Sequence, residues 1–369
     1  MKRKRTRLYH AAVLLIVAMT ATQILPNRQV AAQAAIDSMS YYNRGLALHR
    51  ALDYPGAVEC YRRAISLDPH FADAHNSLCV AYDKLNLSEK AIESCRQAVS
   101  LKPDLEVAHY NLGLLFAAAQ RHREAIESLL IALRISPNDA LAQYHLGVEY
   151  AQSGRQEEAL MAVKRAISLT PNYSAAYNQL GVVQDGLGQY EAATQSFTKA
   201  ITLKADQAES YNNLGVAYSH AGRFLEAVEP LNQAILLKPN FALYYYHLGE
   251  VYLRSNRDED AVTSLTRALS LDPKDALSYN GLGCAFAKLK RYKEALASLQ
   301  QATILNPSFA EAHFNSGVIY LALKEKSQAM EKYSLLQTLN PAAANRLYGL
   351  IYQNRIFRVS TPQVTAIDD

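Results

Sequence analysis

From residue 38 onward apolar positions recur at helical spacing in two runs per 34 residues. Tyr211, Leu214, Gly215 and Tyr218 share one helical face, and after a polar break Ala227, Leu231, Ala234 and Ile235 share another. The breaks are short, as at Ser153-Gly154-Arg155 and Ala221-Gly222-Arg223. The pattern predicts helix, turn, helix, many times over. Proline fixes the period: it falls at 69, 103, 137, 171, 239, 273, 307 and 341, with Ala205 at the remaining member. Taking each proline as position 32 divides the chain, without insertion or deletion, into 38–71, 72–105, 106–139, 140–173, 174–207, 208–241, 242–275, 276–309 and 310–343.

Small residues keep the same register. Position 20 is Ala57, Ala91, Ala125, Ala159, Ala193, Ala227, Ala261, Ala295 and Ala329. Position 8 is glycine except for Cys79, and position 27 is alanine except for Leu336. A glycine inside a helix costs about 1 kcal/mol against alanine, so a column of them implies that another helix comes close at that point. The proline is expected to end each second helix, having no N–H and disfavouring helix at the residue before it.

These columns resemble the tetratricopeptide repeat family, whose pattern has an aromatic at position 4, Leu-Gly at 7 and 8, Tyr at 11, Ala at 20, an aromatic at 24, Ala at 27 and Pro at 32. Position 4 here is Tyr41, His75, His109, Gln143, Tyr177, Tyr211, Tyr245, Tyr279 and His313, never Trp, and the ninth unit departs furthest, at Ser316 and Leu336. The resemblance implies an all-α fold, a right-handed superhelical solenoid of tandem helix-turn-helix repeats. A C-terminal capping helix is read over 344–358 and a loose tail over 359–369. It implies one array, not separate domains.

The family also implies that first helices line a concave groove through positions 2, 5, 9, 12 and 13. Position 5 is Tyr42, Asn76, Tyr110, Tyr144, Asn178, Asn212, Tyr246, Asn280 and Phe314. Tyrosine offers broad area with a hydroxyl, and asparagine both donates to and accepts from a peptide backbone. This ladder is the candidate partner-binding site, with packing between first helices as the competing reading. The basic clamp with which some family members grip acidic C-termini is absent, since position 5 has no Lys or Arg and position 9 is mostly aliphatic. An Asn ladder at position 6, known from the repeat arm of O-linked N-acetylglucosamine transferases, is matched by Asn43, Asn111, Asn213 and Asn315 only. The transferase activity does not carry over.

Charge changes the picture at one end. The 38 Lys and Arg against 34 Asp and Glu give +4, but residues 1–34 hold Lys2, Arg3, Lys4, Arg5, Arg7 and Arg28 and no acid, leaving 32 positive and 34 negative charges after them. No basic stripe for nucleic acid is implied. The segment 1–34 runs from a basic start through Ala11–Ala18 to small residues at Val30-Ala31-Ala32 and Ala32-Gln33-Ala34. That order is read as a secretory signal peptide, with a retained single-pass membrane anchor as the main alternative and an organellar transit sequence or a misread terminus behind them. The first two readings put the repeats outside the plasma membrane, periplasmic or secreted, and a misread terminus would leave the array in the cytoplasm.

Nothing in the sequence points to catalysis: there is no Gly-rich phosphate loop, HExxH, GxSxG or CxxC. No cofactor and no metal are expected, and His75, His109 and His313 are read as packed, hydrogen-bonded histidines. Glu149, Asp185 and Glu250 are read as solvated. Of the four Cys, Cys284 lies too far along the chain to pair with Cys60, Cys79 or Cys95. Cys79 and Cys95, on two helices of one unit, can approach each other, though buried reduced thiols are the favoured reading. The expected function is a non-enzymatic scaffold holding an extended segment of a protein partner, in assembly of an envelope or secretion complex. The other readings are a glycan-binding or polysaccharide-export accessory and a repeat subunit of a complex with a separate catalytic chain.

Overall fold

The computed structural model describes residues 33–353. The signal or anchor segment therefore lies almost wholly outside the described residues, as do the end of the expected capping helix and the tail. Among the described residues there are helices and no strands. They form two compact units, one ending at Arg155 and one beginning at Gln156.

Unit 1 contains α1 (33–50), α2 (Tyr54–Leu67), α3 (Ala72–Lys84), α4 (Ser88–Leu101), α5 (Glu106–Ala118), α6 (His122–Ile135) and α7 (Ala140–Gln152). Unit 2 contains α8 (Gln156–Leu169), α9 (Ser174–Gly186), α10 (Tyr190–Leu203), α11 (Ala208–His220), α12 (Phe224–Leu237), α13 (Ala242–Arg254), α14 (Asp258–Leu271), α15 (Ala276–Lys288), α16 (Tyr292–Leu305), α17 (Ala310–Ala322), α18 (Lys326–Leu339) and α19 (Pro341–Gln353). Odd-numbered helices up to α17 are the first helices of repeats. Within each unit second helices pack on neighbouring first helices, as α4 does on α3 and α5, and consecutive first helices touch, as α3 and α5 or α13 and α15 do. Each unit is an all-α helical repeat solenoid stack.

The small-residue columns form the seam. The position-20 alanines are wholly buried in all nine repeats, and so is Leu336 where position 27 lacks alanine. Six glycines of the column, Gly45, Gly113, Gly181, Gly215, Gly249 and Gly283, meet a large side chain at position 24 of their own repeat. A Cβ on Gly215 would lie 2.5 Å from Leu231 Cγ, and one on Gly283 would lie 2.6 Å from Leu299 Cγ. Neither distance is tolerable, so the glycines are there for the close approach itself.

The turn between the two helices of a repeat always passes through the left-handed region at position 15. Glycine supplies it at Gly154, Gly188 and Gly222, but Leu52, Asn86, Gln120, Asn256, Lys290 and Lys324 adopt the same φ, between 56° and 63°. A side chain in that region costs roughly 1–2 kcal/mol. Lys290→Gly and Leu52→Gly should therefore each stabilise the protein by about 0.5–1 kcal/mol despite the freer unfolded chain; equal or lower denaturant midpoints would contradict this. The next residue, at position 16, is often arginine. Arg121, Arg223 and Arg291 stack on Phe116, Tyr218 and Phe286 at 4.4–4.6 Å while pairing with the acid three residues on, Glu124, Glu226 and Glu294.

Two expectations about proline change. α10 stops at Leu203, at the same repeat position as the other second helices, although Ala205 stands where they have proline. Lys204 is extended and its N–H returns to Ala200 O, so the C-terminal turn ends the helix without help. In the ninth repeat Pro341 does the reverse and opens α19, a position where its missing N–H is harmless. The final helix thus begins before residue 344. It covers the last repeat: Leu347 is wholly buried against Gly317, in a cluster with Phe314, Val318 and Leu336.

Candidate functional site

Position 4 has a packing role. His75, His109 and His313 place Nε2 3.0–3.2 Å from the carbonyl oxygens of Pro69, Pro103 and Pro307, and the Tyr245 hydroxyl donates to Pro239 O at 3.1 Å. Each ring N–H or hydroxyl satisfies the carbonyl left open at the end of the preceding repeat. The packed, hydrogen-bonded reading of these histidines is what the structure displays.

The position-5 ladder divides in two. In unit 1, Tyr42, Asn76, Tyr110 and Tyr144 are half-buried; in unit 2, Asn178 is half-buried while Asn212, Tyr246, Asn280 and Phe314 are buried. The asparagines spend their capacity inside the protein. Asn111 donates to Asn76 Oδ1 at 3.0 Å, Asn213 to Asn178 Oδ1 at 3.4 Å and Asn315 to Asn280 Oδ1 at 3.1 Å, while His247 Nδ1 lies 2.7 Å from Asn212 Oδ1. Ser77 likewise reaches the Tyr42 hydroxyl at 3.3 Å. The rule is position 6 of one repeat to position 5 of the repeat before, 35 residues back. The amides tie neighbouring first helices together, so an exposed ladder is not what Asn212, Tyr246, Asn280 and Phe314 provide. Sequence reasoning had both columns and lacked their pairing.

What unit 1 does present is apolar. Position 2 on α1, α5 and α7 carries Met39, Val107 and Leu141, which are 48%, 40% and 51% exposed. Each lies one helical turn before Tyr42, Tyr110 or Tyr144, so exposed aliphatic and half-buried phenol share a face on three first helices. Burial raises the Tyr110 and Tyr144 hydroxyls, with Asp139 and Glu106 adding to the effect at Tyr110, so both stay neutral donors near neutral pH.

The acidic residues expected to be solvated are instead buried. Glu149 takes His122 Nδ1 at 2.9 Å and Asp185 takes His220 Nδ1 at 2.9 Å. Glu250 is wholly buried with no hydrogen-bond partner for either oxygen, and burial pushes its carboxyl up to about 8. A charge on a first helix reads as solvated because its partner is 27 or 35 residues away. The column reading was the available signal, since Glu250 stands at position 9 among valines and leucines.

The cysteines require a correction. Cys79 and Cys95 form a disulfide, with Cα atoms 5.3 Å apart, while Cys60 and Cys284 are buried thiols. The bridge occupies positions 8 and 24 of the second repeat, the pair that is glycine against a large side chain elsewhere. Two anomalies in facing columns are what identify it. Among the described residues no three His, Cys, Asp or Glu side chains gather as a metal site would require, and no helix is long and apolar enough to cross a membrane.

Tetratricopeptide repeat models match residues 38–71, 72–105, 108–174, 162–195, 208–241, 242–275 and 280–344, and a TPR repeat model matches 186–222. With the seam and turns described above, these matches place the chain in the tetratricopeptide repeat family. Among solved structures it is similar to PilW, described as a widely conserved type IV pilus biogenesis factor, at 25% identity and TM-score 0.51 over 55% of this chain and 94% of that one. It is also similar to the Cut9–Hcn1 assembly of APC/C (18% identity, TM-score 0.52, 85% of this chain and 76% of that). A tetratricopeptide repeat protein from Parabacteroides merdae aligns at 15% identity and TM-score 0.55 over 68% of this chain and 99% of that. The curated proteins include no match.

Proposed function

We propose that this protein is a non-enzymatic scaffold outside the plasma membrane, where the first helices of unit 1 hold an extended segment of a partner protein during assembly of an envelope or secretion complex. The observation that carries the reading is the stripe of Met39, Val107 and Leu141 beside Tyr42, Tyr110 and Tyr144, since exposed aliphatics next to phenols give contact area together with hydrogen-bonding hydroxyls. The order of charge and apolarity in residues 1–34 supports export. So does the Cys79–Cys95 bridge, because structural disulfides persist chiefly in oxidising compartments. Likeness to a pilus biogenesis factor supports an assembly role.

The test is cross-linking in the native cells, comparing the parent with Val107→Asp/Leu141→Asp. Both sites are exposed, so the variant should fold, and it should retain less than about a tenth of the captured partner, as expected when a contact worth more than about 1.4 kcal/mol is lost. Equal capture from both proteins would overturn the binding face. Recovery of the chain from the cytoplasm with Met1 still at its start would overturn export.

A further inference from the structure

Each first helix turns one row of side chains, positions 3, 6, 7 and 10, toward the repeat before it. Leu78 and Ala81 pack on Ala57 and Tyr61, Ala108 on Ala98, and Leu115 joins Ala91 and Cys95. In the eight later repeats position 3 is at most 1% exposed, from Ala74 to Ala312, and position 10 is buried throughout, from Ala81 to Ile319. Position 7 is a buried leucine from Leu78 to Leu282, and position 6 supplies the side chains that reach back 35 residues.

In the first repeat the row is Ser40, Asn43, Arg44 and Ala47, and all four are exposed. The columns start with that repeat, since a unit before Ser38 would put Gln23 where every repeat has its position-20 alanine. Ser40 and Ala47 nevertheless keep the small size that the same positions have where a helix lies against them. Ile36, one turn before Ser40, is 63% exposed, and with Ala35, Met39, Ser40 and Asn43 it lines an open depression of about 560 Å³. The corresponding face of the ninth repeat is closed by α19, so a head-to-tail stack of whole chains is blocked at that end. Arg44 also disfavours a further repeat in the same direction, because that packing places leucine at position 7.

The row suits a helix running the other way, because it is self-complementary. An antiparallel helix of the same sequence, crossing midway between Asn43 and Arg44, sets Ser40 opposite Ala47, Asn43 opposite Arg44 and Asp37 opposite Arg50, each pair occurring twice. The small pair lets the backbones approach, and the guanidinium donates to the Asn43 carboxamide oxygen. Asp37 and Arg50 are both exposed. They stand 13 residues apart on α1, about 20 Å, so they cannot pair within one chain. Across the two-fold they fix register and exclude a parallel arrangement.

We propose that α1 pairs antiparallel with α1 of a second copy of this chain, about a two-fold axis between Asn43 and Arg44. This goes beyond segment binding by Val107 and Leu141, which lie on α5 and α7.

The test is sedimentation of the protein purified from its native cells, with the N-terminus it carries there, beside variants made in the same cells. The parent should be a dimer. Ala47→Glu, at an exposed helical site, should raise the dissociation constant at least about tenfold by thickening the crossing. Arg50→Asp should weaken the dimer by facing two acids, and Asp37→Arg/Arg50→Asp should bring it back to within about threefold of the parent. Circular dichroism confirms that each variant is folded. A monomeric parent would overturn the proposal; one that retains residues 1–32, or that holds another chain lost in Ala47→Glu, would assign the row to that occupant instead. A dimer indifferent to Ala47→Glu, or a double variant no tighter than Arg50→Asp alone, would also overturn it.

Discussion

Replacing Glu250 by glutamine should stabilise the protein, and the gain should grow with pH. Folding raises this carboxyl from its ordinary value near 4.5 to about 8. Between those values the unfolded chain has lost the proton while the folded chain keeps it, so the parent loses stability as pH rises, and the loss is complete above about 8. Glutamine cannot ionise, so the two proteins should differ least near pH 4.5 and most above pH 8, by on the order of 4 kcal/mol. Taking the difference cancels other titrations, including that of His247, which burial pushes down to about 3. Denaturant unfolding at pH 5 and pH 8.5 measures it. A constant difference between the two pH values would mean that Glu250 ionises freely in the folded state.

The second large effect concerns the bridge. Reducing Cys79–Cys95 should cost about 3 kcal/mol, the loop-closure entropy for a separation of 16 residues. The double change Cys79→Gly/Cys95→Leu should fold and be indifferent to reductant, because it installs the pair that Gly113 and Leu129, Gly249 and Leu265 use at the same positions. Thiol titration of the unfolded, unreduced parent should find the two sulfhydryls of Cys60 and Cys284. Four sulfhydryls, or melting that reductant leaves unchanged, would show that the second repeat is held by packing alone.

These two sites mark where sequence reasoning stopped. The helices, their register and their seam were legible because they rest on sterics that repeat: alanine at position 20 and glycine at position 8 recur for one reason at one spacing. The turn conformation was half legible, since glycine marks position 15 in three repeats while Lys290 and Leu52 adopt the same φ without it. The site was less so. Whether Asn212 faces solvent or the next helix depends on His247, 35 residues away, and no local pattern encodes that pairing. Glu149 and Asp185 looked solvated for the same reason, their partners being His122 and His220, whereas Glu250 is buried with no hydrogen-bond partner. Cys79 looked like a lapse in the glycine column until Cys95 was set opposite it.

The exposed stripe of unit 1 is the centre of the functional account, and site-specific photo-cross-linking tests it most directly. A photoreactive residue placed at Leu141, on a first helix, is compared in native cells with one at Leu236, which is 73% exposed on the second helix α12. The account predicts a discrete partner adduct from position 141 and none from position 236. An adduct from 236 with none from 141 would contradict it and assign recognition to the second helices.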